Sequence, residues 1–323
     1  MTNILDIQNL KTYFHTEAGI VKAIDGISLH VEKGETLGLV GESGSGKTMT
    51  ALSVLNIVPN PGKINSGKIL FNNNVISNLK EEQMRKIRGK KIALIFQDPT
   101  SSLHPLYTVG KQIGDILKTH DKLNSKEAKK RVIELFIEVG IPEPEIRVNQ
   151  YPHEFSGGMK QRVAIARALA LNPELLFADE PTTNLDVTIQ AQVLDLLKHL
   201  KKSKQMSLII ITHDMGVVAS ITQRITVLYA GMVAETADTK TLFKNPKHPY
   251  TRQLLDAVPR PDVKKRMEPI PGNIPQLISP PTGCRFHPRC KYAEKICSEK
   301  IPVLEPVSKN HFVSCHRWKE IKF

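Results

Sequence analysis

Short hydrophobic runs along the chain predict the strands of an α/β protein. Four runs have the length and composition of buried strands: ETLGLV, KIALIFQ, ELLFADEP and MSLIIITHD. The segment TALSVL, which follows a glycine-rich stretch, is helix-forming. The longest apolar stretches, such as Leu175 to Ala178 and Leu208 to Ile211, fall far short of the roughly 20 residues of a membrane-spanning helix. We therefore expect an α/β fold that does not cross a membrane.

Composition divides this pattern into two parts. Hydrophobic residues make up 40% and charged residues 24% of the 323 residues, which is typical of a globular protein of about two domains. The net charge is +13, and the segment from Lys240 to Phe323 holds 17 Lys and Arg against 7 Asp and Glu, together with 12 of the 21 prolines. This shift, which starts near Asn245-Pro246, predicts a boundary between a catalytic domain and a basic, proline-rich extension. Such a basic surface suits an anionic partner, or it is simply a solvated face.

The first residues give an expectation about the compartment. The start, MTNILDIQNLK, lacks the basic residues, apolar run and small-residue cleavage site of a secretory signal. We therefore expect the protein to work in the cytoplasm.

A phosphate-binding loop follows the first predicted strand. Its eight residues, GESGSGKT, match the pattern G-x-x-x-x-G-K-[ST] between a strand and a helix, which is the context that supports this motif. The glycines let successive backbone N–H groups point inward, Lys47 reaches the β- and γ-phosphates, and Thr48 is a ligand for Mg²⁺. The predicted nucleotide-binding residues of the loop are Gly41, Glu42, Ser43, Gly44, Ser45, Gly46, Lys47 and Thr48.

Two acids at the end of a second strand predict the chemistry. Asp179 is placed to hold the metal ion, and Glu180 lies one residue further toward the γ-phosphate. A glutamate at this place polarises an attacking water, so the implied reaction is hydrolysis with no acceptor substrate. His213, at the end of the third strand, is a candidate hydrogen-bond partner of the γ-phosphate, although a lone histidine after a strand is more often structural.

The stretch from residue 151 to 186, YPHEFSGGMKQRVAIARALALNPELLFADEPTTNLD, decides between the many families with a phosphate loop. Ser156-Gly157-Gly158 predicts a second anion-binding helix N-terminus, separate from the first loop. Together with the loop and the acids, this stretch resembles the ATP-binding-cassette (ABC) family over about residues 3 to 240. The resemblance implies a RecA-like P-loop fold with an antiparallel β subdomain and a helical subdomain. It also implies that each ATP is sandwiched between the phosphate loop of one subunit and the Ser-Gly-Gly signature of another.

The resemblance assigns roles to individual residues. Gln97 would be both a Mg²⁺ ligand and a sensor of the membrane partner, and Asp186 would belong to the dimer-contact loop. The assigned Mg²⁺ ligands are Thr48, Gln97 and Asp179, the catalytic residues are Glu180, His213 and Gln97, and the signature residues are Ser156, Gly157 and Gly158. The aromatic ring that stacks on adenine is expected at Phe14, with Tyr13 as the alternative.

Three positions depart from the commonest family pattern. Phe155 and Met159 flank the signature where Leu and Gln are usual, a variation that is familiar in the peptide-transport branch. Asn184 stands where the dimer-contact loop often has alanine. We still expect an active hydrolytic site.

The extension resembles the C-terminal segment of the ATPase subunits of dipeptide and oligopeptide importers. The resemblance rests on LFKNPKHPYTRQLLDAVPRPD, on PIPGNIPQL and on GCRFHPRC. It implies two polytopic membrane permease subunits and, indirectly, an extracytoplasmic peptide-binding protein. The second ATP-binding subunit would be a non-identical paralogue or another copy of this chain. A helical subdomain at about residues 98 to 172 would face the membrane subunits, and the extension would cover residues 241 to 323.

The extension also holds all four cysteines, Cys284, Cys290, Cys297 and Cys315, with the spacing C-x5-C-x6-C-x17-C. Disulfides are rare in the cytoplasm, and four clustered thiols favour a metal; thiolates suit zinc or a four-iron cluster. The spacing alone slightly favours zinc, whereas the importer resemblance implies a [4Fe-4S] cluster; unligated or disulfide-bonded cysteines are the third alternative. Four nearby basic residues would offset the negative charge of such a thiolate site: Arg285, Arg289, Lys291 and Lys295. The histidines beside the cysteines, His287 and His316, are left out of the ligand set.

Other classes of nucleotide-binding protein fit this sequence less well. A chromosome or DNA-repair ATPase of the cassette type binds nucleic acid and splits its cassette with a long coiled coil, but the segment between Lys47 and Ser156 has no sustained heptads. A translation-factor cassette would carry two phosphate loops, and a nucleotide kinase has no use for the signature. We therefore expect an ATPase subunit of a peptide importer at the cytoplasmic membrane face, with no nucleic-acid partner.

Overall fold

The structure is a computed structural model, and it describes residues 2–257 and 270–323. The last residues of LFKNPKHPYTRQLLDAVPRPD and the first residue of PIPGNIPQL lie outside the described residues. The chain forms two compact units, one made of residues 1–78 and 211–323 and the other of residues 79–210.

The chain begins with three consecutive strands, and a run of five α-helices separates the sixth strand from the seventh. The strands are β1 (Asn3–Thr16), β2 (Gly19–Glu32), β3 (Thr36–Val40), β4 (Gly62–Phe71), β5 (Asn74–Val75), β6 (Ile92–Ile95), β7 (Leu175–Asp179), β8 (Ser207–Thr212), β9 (Arg224–Tyr229), β10 (Met232–Asp238), β11 (Glu305–Ser308) and β12 (His311–Val313). The helices are α1 (Lys47–Val54), α2 (Glu81–Ile87), α3 (Pro99–Ser102), α4 (Val109–Asp121), α5 (Ser125–Glu138), α6 (Pro144–Arg147), α7 (Gly157–Leu169), α8 (Val187–Ser203), α9 (Met215–Ile221), α10 (Thr239–Lys244), α11 (Pro249–Asp256) and α12 (Lys295–Glu299).

The first unit contains two sheets. An antiparallel sheet has the strand order β2-β1-β4-β5. The second sheet has the order β11-β12-β10-β9-β3 within this unit, with β3 parallel to β9 and the other neighbours antiparallel. Strand β3 is buried along its whole length, as a strand covered on both faces should be.

The C-terminal extension shares the core of the first unit. Tyr250, Leu255 and Phe286 are buried in one hydrophobic cluster with Val40 of β3 and Val227 of β9. The rings of Tyr229 and Tyr250 meet edge to face with centroids 4.6 Å apart. The extension is therefore fixed to the strand that precedes the phosphate loop.

The second unit combines helices α2 to α8 with the parallel pair β6 and β7. The predicted helical segment from residue 98 to 172 contains α3 to α7. Capping residues set several helix starts: Asn124 forms a capping box with Glu127 at α5, and Thr108 caps α4.

The predicted strands are confirmed. β3, β6, β7 and β8 lie within the four apolar runs, and α1 overlaps the predicted helical segment TALSVL but begins three residues earlier, at Lys47 of the phosphate loop. In the described part of the chain, no helix combines the length and the apolar character needed to cross a bilayer.

Candidate functional site

The phosphate loop joins the end of β3 to the start of α1, as predicted. Gly46 precedes the helix in a left-handed conformation, φ 102°, which side chains disfavour. A Cβ at Gly41 would overlap the carbonyl oxygen of Leu228 and lie 2.6 Å from Ser45 Oγ. The loop therefore needs glycine at both places to keep its curled path.

The polar groups of this loop suit a phosphate. Lys47 is buried, and its Nζ donates to the carbonyl oxygens of Gly41, at 2.7 Å, and Glu42, at 2.9 Å. Ser45 Oγ is buried and has no hydrogen-bond partner within the described residues. A bound phosphate would accept hydrogen bonds from both the Lys47 ammonium group and the buried Ser45 hydroxyl. Thr48, the predicted Mg²⁺ ligand, is exposed in the first turn of α1.

The two candidate adenine-stacking residues differ in their surroundings. Tyr13 donates its hydroxyl to Asp25 Oδ1 at 2.5 Å, and burial together with this carboxylate raises the pKa of Tyr13 to about 12. Phe14 lies beside Gly62, where a Cβ would be only 2.7 Å from the Phe14 ring. The pairing of β1 with β2 is irregular between Thr12 and Phe14, so strand alternation does not decide which of the two rings faces a base. Stacking on Phe14 stays a prediction.

In the second unit, Glu180 lies at the end of the buried strand β7. Its Oε2 accepts hydrogen bonds from Gln97 Nε2 at 2.8 Å and from Thr183 Oγ1 at 2.9 Å. Asp179, the last residue of β7, is 2% exposed. Because β6 and β7 are parallel, their carboxyl ends share one sheet edge, which brings Gln97 to the acids.

Glu180 has a left-handed backbone, φ 44°. A non-glycine residue in this region costs about 1 kcal/mol or more and is often found at functional sites. Asn184 is also left-handed, φ 64°. Asparagine tolerates this conformation better than alanine does, so the residue at this position suits the backbone of the loop.

The Ser-Gly-Gly segment begins a helix, as predicted. Ser156 caps α7, with its Oγ accepting from Met159 N at 3.4 Å. A Cβ at Gly158 would lie 2.9 Å from Ile189 Cγ2, so glycine permits close approach to α8. Asp186 caps α8 and accepts from Ile189 N at 2.9 Å. The signature and the predicted dimer-contact loop therefore meet at Ile189.

His213 lies exposed between β8 and α9. The next residue, Asp214, caps α9 by accepting from Gly216 N at 2.7 Å and from Val217 N at 3.2 Å. The first unit therefore carries Tyr13, Phe14, the phosphate loop and His213. The second carries Gln97, the signature, both acids and Asp186. The catalytic roles of all these residues stay predictions.

The four cysteines line one cavity of about 20 Å³ in the extension. Burial raises the pKa of Cys284 to about 11 and that of Cys315 to about 12, and the charges of neighbouring thiolates add to both shifts. Within residues 2–257 and 270–323, however, no group of three or more His, Cys, Asp or Glu side chains is arranged to hold a metal ion. The cavity has room for about one water-sized group, so a four-iron cluster would require the sulfur atoms to move apart.

The two histidines beside the cysteines make contacts with backbone carbonyl groups. His287 Nδ1 lies 2.9 Å from the carbonyl oxygen of Cys284, and His316 Nε2 lies 2.8 Å from that of Lys300.

Two of the arginines expected to offset the thiolates have other partners. Arg285 donates to Asp25 and to the carbonyl oxygen of Ala230, and Arg289 pairs with Glu42 of the phosphate loop. That expectation was wrong for both residues. A charge next to a cysteine in the sequence does not reveal partners more than 200 residues away.

Comparisons with known proteins agree with this geometry. Residues 24–183 match the model of the ABC transporter family, and residues 234–297 match that of the oligopeptide/dipeptide transporter C-terminal region. The oligopeptide transport ATP-binding protein OppD of Bacillus subtilis (strain 168) is 49% identical over 97% of this chain and 88% of that protein. The chain belongs to the peptide-transport branch of the ABC transporter family. The dipeptide transport ATP-binding protein DppD of the same organism is 46% identical over 98% of this chain and 95% of that protein.

The ABC cassette fold is confirmed by solved structures as well. The ATP-binding cassette MJ0796, in a dimeric post-hydrolysis state bound to ADP and Pi, is 29% identical with a TM-score of 0.66. The similarity covers 73% of this chain and 98% of that one. This member of the ABC family is thus an ATPase of the cassette type.

Proposed function

We propose that this protein is the ATP-hydrolysing subunit of an importer for dipeptides or oligopeptides at the cytoplasmic face of the cell membrane. The observation that carries the proposal is similarity to OppD over 97% of the chain, which includes the extension as well as the cassette. Its partners would be two membrane permease subunits and a second ATP-binding subunit, with a peptide-binding protein acting on the permease from outside. The second ATP-binding subunit would be a paralogue or a second copy of this chain.

The residues would divide the work between two protomers. The phosphate loop binds the triphosphate of ATP, while Ser156 to Gly158 of the other protomer cover its far side. Mg²⁺ would be held by Thr48, Gln97 and Asp179, and it offsets phosphate charge when bound. Glu180 takes a proton from the attacking water, and His213 donates to the γ-phosphate. The hydrogen bond between Gln97 and Glu180 supports a shared role for these two side chains.

The proposal also divides the chain into two functional domains. Residues 1–240 would form the nucleotide-binding domain, with the part that faces the permease at about residues 98–172. Residues 241–323 would form the importer-type extension. The match of residues 234–297 to the C-terminal region of oligopeptide/dipeptide transporters supports this division.

Uptake of a labelled peptide tests the function. Cells that lack this chain are expected to lose uptake of a labelled dipeptide or oligopeptide and to regain it when the chain is supplied. Uptake of the free labelled amino acid is the control and should not change. Equal peptide uptake with and without the chain would contradict the proposal, as would failure to co-purify two polytopic membrane proteins.

We also propose that the four cysteines bind a metal, a [4Fe-4S] cluster in preference to zinc. The cavity that they share supports a bound metal of either kind, and so do the charges of neighbouring thiolates, which add to burial in raising the pKa of Cys284, Cys290 and Cys315, because a bound cation would relieve that repulsion. The preference for the cluster rests on the resemblance of the extension to importer subunits. The role would be to fold the extension, since a short proline-rich segment has little core of its own.

Metal analysis of protein purified without oxygen distinguishes the alternatives. We expect about four iron atoms per chain with visible sulfur-to-iron absorbance; about one zinc and no colour would support zinc instead. Replacing Cys290 by Ser should remove most of the metal. Absence of both metals would contradict the proposal.

A further inference from the structure

Glu42, the second residue of the phosphate loop, is held by two residues of the C-terminal extension. Arg289 contacts both oxygens of its carboxylate, with Nη1 to Oε2 at 2.7 Å and Nη2 to Oε1 at 3.1 Å. The Glu42 backbone N–H donates to the hydroxyl of Tyr250 at 2.8 Å. A two-point arginine pair and a backbone hydrogen bond together fix the position of this residue.

Arg289 is itself firmly seated. Its side chain is 5% exposed, and it also donates to the carbonyl oxygen of Pro271 at 2.8 Å and to the hydroxyl of Tyr229 at 3.2 Å. A guanidinium stays protonated in proteins, and these contacts hold it in one place. Arg289 therefore presents a fixed positive charge beside the loop.

The carboxylate that Arg289 holds belongs to a residue of the phosphate site. The Glu42 carbonyl oxygen accepts from Lys47 Nζ at 2.9 Å, so the same residue contacts the lysine that is predicted to bind the phosphates. An acid in a loop that receives a triphosphate opposes binding unless its charge is compensated. Arg289 supplies that compensation from a position 247 residues away in sequence.

We propose that Arg289 is a positioning residue for ATP: it neutralises and orients Glu42 and, with Tyr250, makes the extension part of the nucleotide site. The proposal rests on the ATP-binding function proposed above. It adds a role for the extension in nucleotide binding that is distinct from metal binding by the four cysteines.

Binding of ATP to the purified full-length chain tests this role. Arg289→Met keeps most of the side-chain volume but removes the charge, and it is expected to weaken ATP binding about tenfold, more at low salt than at high salt. The double variant E42Q/R289M should regain affinity to within about threefold of wild type, because no uncompensated carboxylate remains. Arg252→Met is the matched control. It removes an arginine of the same extension that pairs with Asp256 at 2.9 Å, and it should not change the affinity.

The outcomes separate a charge effect from a purely structural one. Unchanged affinity in Arg289→Met would overturn the proposal, and so would a loss that the double variant does not restore. A wild-type chain that binds no ATP would overturn the proposed function itself.

If Arg289→Met does not fold, Tyr250→Phe offers a second test. It removes only the hydroxyl that accepts the Glu42 N–H. We expect about fivefold weaker ATP binding, which Glu42→Gln does not restore because the lost contact is to the backbone. Wild-type affinity in Tyr250→Phe would then overturn the proposal.

Discussion

Replacing Glu180 by Gln is expected to reduce ATP hydrolysis by at least about 100-fold while ATP binding stays within about threefold of wild type. The substitution keeps the size of the side chain and an oxygen that can accept from Gln97 and Thr183, which now hold Oε2. It removes the basicity that draws a proton from the attacking water. The left-handed backbone of Glu180 is unchanged by the substitution, so the strand end should keep its conformation. Phosphate release and binding of a fluorescent ATP analogue measure the two quantities in the assembled transporter.

Glu174→Gln is the matched control for this variant. Glu174 immediately precedes β7, whose other end carries the acids, and it pairs with Lys91 near the surface. Glu174→Gln removes the same charge as Glu180→Gln, but it should leave the rate of ATP hydrolysis unchanged. Full turnover in Glu180→Gln, or an equal loss in both variants, would contradict the assignment of Glu180 as general base.

Individual strands, turns and helix starts could be predicted from sequence because each is determined by a few neighbouring residues. A run such as MSLIIITHD contains its own strand signal, and β8 lies inside it. The phosphate loop and the signature are also short segments whose residues dictate the turn and the helix that follows. Ser156 at the start of α7 and Asp186 at the start of α8 are N-cap residues of the expected type.

The contacts of the extension could not be predicted in the same way. Tyr250 and Arg289 reach Glu42 from 208 and 247 residues away, and no pattern near either residue indicates this partner. The cysteine spacing predicted that four thiols come together, and they do line one cavity. It did not predict that the arginines between them face acids of the first 42 residues. Such long-range pairs depend on how the whole chain packs. The spacing of residues in the sequence indicates only which groups are close along the chain.

The tripeptide His248-Pro249-Tyr250 shows how the extension is attached. Burial lowers the pKa of His248 to about 4, so its ring is neutral and Nδ1 accepts from Tyr250 N at 3.0 Å. Pro249 occupies the first position of α11, where its missing N–H costs nothing. The cap thus fixes the start of the helix whose tyrosine meets the phosphate loop.

Glu235→Ala is expected to lower the melting temperature of the protein by about 5 °C or more, which corresponds to a loss of roughly 3 kcal/mol. Glu235 is fully buried on β10, and its carboxylate accepts from Lys247 N at 2.7 Å, His248 N at 2.9 Å and His311 Nε2 at 2.8 Å. Alanine leaves three donors without an acceptor, two of them fully buried, and these donors belong to the residues before α11 and to β12. Thermal unfolding measures the effect.

Glu305→Ala is the matched control for this stability change. Glu305 is exposed on β11, the strand next to β12, and its replacement should shift the unfolding free energy by less than about 0.5 kcal/mol. Glu235→Gln should fall between the two, because its amide keeps one accepting oxygen while its NH₂ group faces donors. If the melting temperature of Glu235→Ala equals that of Glu305→Ala, the three hydrogen bonds do not hold the extension. A selective loss in Glu235→Ala, with earlier proteolytic cleavage after residue 240, would instead show that one buried carboxylate anchors this part of the chain to the sheet.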